Sequence, residues 1–334
     1  MSAPTDFFLL AGFLGSGKTT LLQDFLGQGE AADTAVIVND VGQINIDGAV
    51  LAATDGGLDM AMLNDGCVCC SVGNDLLFTI EALLAKRAAS GRVPFRRIIL
   101  ECSGLSRPGP IIRALGGLAA AEMRVSVLST YDCSNDPVRG GPFDDAVAQL
   151  AAARTIILTK LDRVDDAAVE QARGVVAGIN PLAAILCEPD RRCRAMRAFT
   201  TTDRPVIGPI ADTLIPTAPV LDHPRVEVFL AKLSAAPPWP DLSDWLENLA
   251  GACGDRLLRV KGLVQVLDCP DRLLLQGVGG GFDIPRRMPG LQAVDNAMVI
   301  IARDTAASEL RELTPDIGLS VSCTADRRPA LICS

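Results

Sequence analysis

One stretch near the amino terminus constrains this chain more than any other: Gly12-Phe13-Leu14-Gly15-Ser16-Gly17-Lys18-Thr19, followed by Thr20. It is a complete G-x-x-x-x-G-K-T. The apolar run Phe7 to Ala11 before it reads as a buried strand. Leu21, Leu22, Phe25 and Leu26 after it read as the inner face of a helix from Thr20 to Leu26. Strand, glycine-rich turn and helix in this order aim successive backbone N–H groups inward at a helix N-terminus, which cradles phosphate oxygens. Gly12, Gly15, Ser16, Gly17, Lys18, Thr19 and Thr20 are therefore candidate nucleotide-binding residues. Lys18 has the reach to meet β- and γ-phosphates, and the Thr19 hydroxyl suits Mg²⁺.

The rest of the chain continues that pattern. Thr34 to Val38, Arg97 to Leu100, Val125 to Tyr131, Thr155 to Thr159 and Ala183 to Leu186 are short apolar strands. Helical spacing falls between them, at about Asp75 to Arg87, Phe143 to Ala153 and Ala167 to Gly178. Strands alternating with helices predict βα crossovers and an α/β fold, a P-loop NTPase domain with a mainly parallel sheet. That domain is expected to cover 1–204. Pro205, Pro209, Pro216 and Pro219 punctuate a linker over 205–222. Beyond it, over 223–334, strands dominate: Arg225 to Lys232, Arg256 to Leu267, Leu273 to Val278 and Ala297 to Ala302. With helices at Leu242 to Ala252 and Thr305 to Leu313, this predicts a smaller α+β domain.

Composition narrows the partners. Of 334 residues, 49% are hydrophobic, enough for a substantial core. The formal net charge of -9 argues against a nucleic acid or an anionic membrane surface as partner. No apolar run is long enough to span a bilayer. Eleven cysteines without a secretion signal predict reduced thiols and a cytoplasmic location.

Ligands of open parallel sheets bind beyond the carboxyl ends of the strands, and the polar signals of this chain cluster at such ends. Asn39-Asp40 follows the second strand, Glu101-Cys102-Ser103-Gly104 the third, and Thr159-Lys160-Leu161-Asp162 a later one. A carboxylate at Glu101 can hold a Mg²⁺-bound water, and the Gly104 N–H can meet a γ-phosphate, so this segment is a natural nucleotide switch. Thr159, Lys160 and Asp162 resemble a guanine-reading [NT]-K-x-D, in which the Asp carboxylate accepts from N1–H and N2–H₂ of the base. Adenine has no such donor pair, which would leave the carboxylate unpaired.

A second kind of chemistry sits at Cys67-x-Cys69-Cys70, after the turn-forming Asn64-Asp65-Gly66. Three thiols within four residues can converge on one soft ion such as Zn²⁺ and leave a fourth position open for exchange. Cys102 reads as a core thiol, although its place in the switch segment would let it approach the metal loop. Cys187 and Cys193 bracket Glu188 and Asp190 but read as ordinary thiols. His223, the single histidine, reads as structural or capping.

Together these residues resemble the CobW-type metallochaperone GTPases. The resemblance rests on the P-loop with Leu21-Leu22, Asn39-Asp40-Val41-Gly42 with Ile46-Asp47-Gly48, Gly66-Cys67-Val68-Cys69-Cys70, Glu101-Cys102-Ser103-Gly104 with Pro108, and Thr159 to Asp162. It also rests on Asn180-Pro181, His223, Trp245-Leu246 and Leu258 to Gly262, so it spans nearly the whole chain. It implies hydrolysis of GTP with Mg²⁺, with Lys18, Glu101 and Gly104 as the catalytic set and Thr19 and Glu101 at the magnesium. It implies a transition-metal cargo on Cys67, Cys69 and Cys70, usually Zn²⁺ and sometimes Co²⁺ or Fe²⁺, with Asp40 a further candidate ligand. The partners implied are a client metalloenzyme and a second copy of the chain. The family pattern Asn-Glu-Phe-Gly-Glu is here Asn39-Asp40-Val41-Gly42-Gln43, one shorter carboxylate and an amide. The family's Thr after the switch Glu is Cys102, and no His-rich stretch is present. Three rival readings stay open on the residues alone. They are an ATP-using kinase or ATPase, a zinc-responsive regulator or scaffold without turnover, and a thiol redox protein.

Overall fold

The computed structural model describes residues 4–29, 33–38, 59–62, 72–116, 123–136, 138, 144–200, 224–291, 296–313 and 317–324. Asp40, Cys67, Cys69, Cys70 and His223 lie outside the described residues. The chain divides into two compact units, one of 1–173 with 183–203, the other of 174–182 with 204–334.

The first unit is built on a parallel sheet. Its strands are β1 (Asp6–Gly12), β2 (Thr34–Val38), β3 (Asp59–Met62), β4 (Arg97–Glu101), β5 (Arg124–Asp132), β6 (Thr155–Thr159) and β7 (Ala184–Leu186). They are ordered β3-β2-β4-β1-β5-β6-β7, and every pairing is parallel. Helices α1 (Lys18–Leu26), α2 (Val72–Ala89), α3 (Pro108–Leu115), α4 (Asp144–Ala152), α5 (Asp166–Ile179), whose residues from Gly174 on are counted with the second unit, and α6 (Arg191–Ala198) make the crossovers. Phe7 to Ala11, Ala35 to Val38 and Ile98 to Leu100 are buried without alternation, as a sheet covered on both faces requires. On one face, Phe8, Leu10, Ile99 and Ile157 pack against Leu22 and Phe25 of α1 and against Phe199 just after α6. The Phe25 and Phe199 rings lie 4.7 Å apart between centroids, so they tie α1 to the end of α6.

Register sets the site. Leu10 pairs with Glu101, Gly12 with Thr130, and Asp132 with Thr159. The carboxyl ends of β4, β1, β5 and β6 therefore stand side by side, each ending on a residue the sequence or the structure makes functional.

The second unit is an antiparallel sheet of β8 (Val226–Leu233), β9 (Leu257–Val266), β10 (Cys269–Val278), β11 (Gly281–Phe282), β12 (Arg286–Met288), β13 (Ala297–Arg303) and β14 (Leu319–Cys323). The order is β11-β10-β9-β13-β8-β14, with β12 beside β10. Helix α7 (Trp239–Cys253) lays Leu242, Trp245, Leu246 and Leu249 on Val260, Val264, Met298 and Ile300, and α8 (Ala307–Glu312) adds Leu310. This is the α+β domain that the pattern of strands predicts, with β11, β12 and β14 added. The first two are too short to carry a period.

Candidate nucleotide site

The phosphate end is formed by the P-loop between β1 and α1. Gly12, Gly15 and Gly17 have φ of 142°, 71° and 92°, values that favour glycine. At Gly12 the requirement is also steric: a Cβ there would lie 2.1 Å from Thr130 Oγ1 and 2.9 Å from the Thr130 carbonyl. The Lys18 ammonium donates to the carbonyls of Gly12 (2.8 Å) and Phe13 (3.3 Å), which holds it over the loop. Ser16 Oγ and Thr130 Oγ1 are hydrogen-bonded at 2.7 Å.

The Thr19 hydroxyl donates to Glu101 Oε1 at 2.6 Å, and Glu101 is only 4% exposed. A hydroxyl and a carboxylate side by side at the mouth of a phosphate loop are hard oxygen donors, the set that suits Mg²⁺ directly or through its water. Gly104 lies in the turn after β4, and a Cβ on it would approach the Leu14 backbone nitrogen to 2.8 Å, so the turn sits against the P-loop. The fully buried Gln149 of α4 fixes that turn, its Nε2 donating to the carbonyls of both Gly104 and Ser106 at 2.9 Å. Cys102 is buried, as expected of a core thiol. Burial pushes its thiol up to about 12 against the opposing pull of Lys18.

The base end is a cleft of about 340 Å³ lined by Gly17, Thr20, Asp24, Lys160, Asp162 and Arg194 among others. Thr159 joins the two ends, its hydroxyl lying 2.8 Å from the Ser16 carbonyl and 3.0 Å from the Tyr131 carbonyl. Lys160 takes a left-handed backbone (φ 54°), and its ammonium donates to Asp132 Oδ2 at 2.5 Å. Asp162 lies in the short 3₁₀ turn Leu161–Arg163 on the cleft wall.

Asp132 holds Lys160 in place. Burial pushes its carboxyl up, but hydrogen bonds from Lys160 and Ser134 outweigh it and keep the group below the usual carboxylate range. A depressed folded-state pKa means the contact is fully present above the unfolded value of about 4 and is lost as pH falls through the folded value. Asp132→Asn is expected to weaken guanine-nucleotide affinity about tenfold, one charge-assisted hydrogen bond, while sparing the Mg²⁺ dependence. A fluorescence titration with labelled GDP at varied Mg²⁺ measures both.

Of the residues expected from sequence, the structure brings Gly12, Gly15, Ser16, Gly17, Lys18, Thr19, Glu101 and Gly104 to the phosphate end. Thr20, Thr159, Lys160 and Asp162 come to the base end. The sequence reading missed Thr130, Asp132, Gln149, Arg191 and Arg194. The run Ser129-Thr130-Tyr131-Asp132, polar residues closing an apolar strand, is the signal that marks the first two. Cys187 precedes the loop into α6 and Cys193 lies in that helix's first turn, and among the described residues no group of three His, Cys, Asp or Glu is placed to hold a metal.

Two family models match the chain: "CobW/HypB/UreG, nucleotide-binding domain" over residues 6–187 and "Cobalamin synthesis protein cobW C-terminal domain" over residues 226–314. The chain belongs to the CobW family. Within the CobW family it is 28% identical over 317 residues to the zinc chaperone YjiA of Escherichia coli, covering 92% of this chain and 97% of that one. It is 28% identical to the zinc chaperone CobW of Pseudomonas aeruginosa, covering 89% and 87% of the two chains. The solved structure of Zn(II)-bound YjiA GTPase from Escherichia coli shares its fold, with a TM-score of 0.62 at 23% identity over 93% of this chain and 98% of that one. The CobW-family resemblance read from the motifs and the P-loop NTPase fold with a mainly parallel sheet read from the strand pattern are both borne out. Among the described residues no helix is long and apolar enough to cross a membrane.

Proposed function

We propose that this CobW-family chain is a GTP-hydrolysing metallochaperone. It takes a transition metal, zinc before cobalt or iron, on Cys67, Cys69 and Cys70 and delivers it to a client metalloprotein under nucleotide control. The observation that carries the nucleotide half is the continuity of the site. A phosphate loop, the Thr19–Glu101 pair and a cleft bearing Asp162 share one sheet edge, and Thr159 bonds directly to the loop. The metal half is supported by the Cys-x-Cys-Cys motif and by relatives described as zinc chaperones. It is also supported by a Schizosaccharomyces pombe relative described as a zinc-regulated GTPase metalloprotein activator, 29% identical over 191 residues.

In this reading Lys18 and the P-loop amides stabilise charge on the β- and γ-phosphates as water attacks the γ-phosphorus and the bond to the β–γ bridging oxygen breaks. Thr19 and Glu101 hold the magnesium, which supplies neutralisation of phosphate charge. Glu101 also orients the attacking water, and the Gly104 N–H meets the γ-phosphate. Asp162 accepts from the base. The thiols lie in the chain between β3 and α2, and therefore between Asn39-Asp40 and the switch segment that begins at Glu101. Nucleotide that orders those segments reshapes the thiol site between them. The GTPase domain is taken as 1–204, the linker as 205–222 and the C-terminal domain as 223–334. The setting is cytoplasmic, with a second copy of the chain as a further partner.

Zn²⁺ affinity measured with a non-hydrolysable GTP analogue and with GDP is expected to differ about tenfold, the scale of a coupling free energy near 1–3 kcal/mol. Equal affinities would remove the gating. Single-turnover phosphate release from GTP, with and without Zn²⁺, separates this reading from a nucleotide-binding regulator without turnover. The Cys67/Cys69/Cys70→Ala variant assigns the site.

A further inference from the structure

The motif residues at the base end read only one edge of a guanine. Asp162 accepts from N1–H and N2–H₂. The opposite edge carries two acceptors, O6 and N7, and needs a donor. Thr159 cannot supply it, because its one hydroxyl proton is shared between the Ser16 and Tyr131 carbonyls. Lys160 is bonded to Asp132.

Arg194 can supply it. It lies on α6, is 6% exposed, and lines the same cleft as Asp162. Among the described residues its side chain makes one hydrogen bond, from Nη1 to the Glu188 carbonyl at 2.8 Å. A guanidinium has five N–H donors in a rigid fork, so several remain on the cleft wall. Burial, with the neighbouring Arg191 cation, pushes its pKa below the usual guanidinium value, and Asp24 and Asp162 pull against that fall. The helix that carries it is anchored: Asp190 caps it by accepting from the Cys193 N–H at 2.7 Å, and Arg191 grips Asp24 of α1 with bonds of 3.0 and 3.1 Å.

We propose that Arg194 is a specificity-determining residue that donates to the O6/N7 edge of a guanine held in the cleft it lines together with Asp162. Adenine puts a donor, N6–H₂, where guanine has O6, so the same guanidinium that favours guanine meets adenine donor to donor. Selection is then made at both edges of the base. The inference rests on the guanine reading of Asp162.

Binding of GDP, 7-deaza-GDP, xanthosine diphosphate and ADP to the full chain tests it, with wild type, Arg194→Gln, Arg194→Lys and Asp162→Asn. In wild type, loss of N7 in 7-deaza-GDP is expected to weaken binding about tenfold, the worth of one charge-assisted hydrogen bond. Arg194→Gln is expected to weaken GDP ten- to a hundredfold, about one to two such bonds, and to abolish the 7-deaza penalty. Arg194→Lys, a single point donor, should fall between. A variant that binds GDP as wild type does, or that weakens GDP and 7-deaza-GDP equally, overturns the proposal in favour of a ribose or phosphate contact. Should Arg194→Gln melt without cooperativity, the wild-type comparison decides alone, and no 7-deaza penalty overturns it. Asp162→Asn is expected to shift preference from GDP to xanthosine diphosphate. If it does so while Arg194→Gln keeps the 7-deaza penalty, only Arg194 loses its role. If wild type binds ADP as well as GDP, the guanine reading falls with it.

Discussion

Lys18→Met is expected to lower kcat/KM for GTP about a thousandfold, with most of the loss in kcat, as for removal of a preorganised donor from a phosphoryl-transfer site. The structure explains why one side chain carries so much. Lys18 is the first residue of α1, and its ammonium is stationed on the Gly12 and Phe13 carbonyls, so its position is set by the loop that binds phosphate. The loop itself cannot shift to compensate. Gly12 is wedged against Thr130, and Ser16 is tied to the Thr130 hydroxyl and, through its carbonyl, to Thr159. Methionine keeps the unbranched stem and the helical start but offers no donor and no charge. The lost interaction strengthens as negative charge develops on the bridging oxygen, so it belongs to the transition state more than to bound GTP. GTP turnover at saturating and limiting concentrations, with GDP affinity alongside, reads the split. A variant with wild-type kcat would show that Lys18 has no catalytic part.

The strands that position this lysine were legible because a sheet covered on both faces demands uninterrupted apolar residues. Thr34 to Val38 and Thr155 to Thr159 begin and end where their composition says. The phosphate end was legible for a related reason: its residues are contiguous, and glycine marks the positions where the backbone turns left-handed. What escaped was whatever depends on distant pairing. Ser16 and Thr130 are separated by 114 positions, and Gln149 and Gly104 by 45, so no local pattern links them. Strand β3, Asp59-Met60-Ala61-Met62, has no strong strand formers, and its place comes from pairing with β2 and from the Arg87–Asp59 contact. Helix α6 escaped for the opposite reason. Arg191, Arg192, Arg194 and Arg197 leave it only the small Ala195 and Ala198 as an inner face, and it is held by these, by its Asp190 cap, by carboxylates and carbonyls, and by Phe199 at its end. The wall of the base cleft that the motif does not encode was therefore also the helix that periodicity could not find. The thiol motif was legible as chemistry alone, since Cys67, Cys69 and Cys70 lie outside the described residues.

Arg87→Met is expected to destabilise the first unit by about 3–5 kcal/mol, the cost of removing one partner from a buried charge cluster. Arg87 lies near the end of α2 with 4% of its side chain exposed. Its guanidinium donates to Asp33 Oδ1 and Asp59 Oδ2, each at 2.9 Å, and to the Val93 carbonyl at 2.7 Å, and it stacks on Phe95 at 4.6 Å. One side chain thus joins α2, the entry to β2, the start of β3 and the approach to β4. Methionine preserves packing on Phe95 but leaves Asp59, itself only 12% exposed, with the outer Arg92 as its remaining ion-pair partner among the described residues. Arg92 is 42% exposed, so Arg92→Ala should cost no more than about 1 kcal/mol as a surface pair. The two variants share Asp59 and differ in burial, so their ratio separates desolvation from simple charge attraction. Urea unfolding followed by a probe in each unit provides the measurement, and a loss under 1 kcal/mol for Arg87→Met would mean that water screens the cluster. Because β3 leads directly into the segment carrying Cys67, Cys69 and Cys70, loosening Asp59 frees the strand from which that segment departs. The same variant should accordingly narrow the difference in Zn²⁺ affinity between nucleotide states while leaving GTP binding at the carboxyl ends of β1, β4 and β6 unchanged.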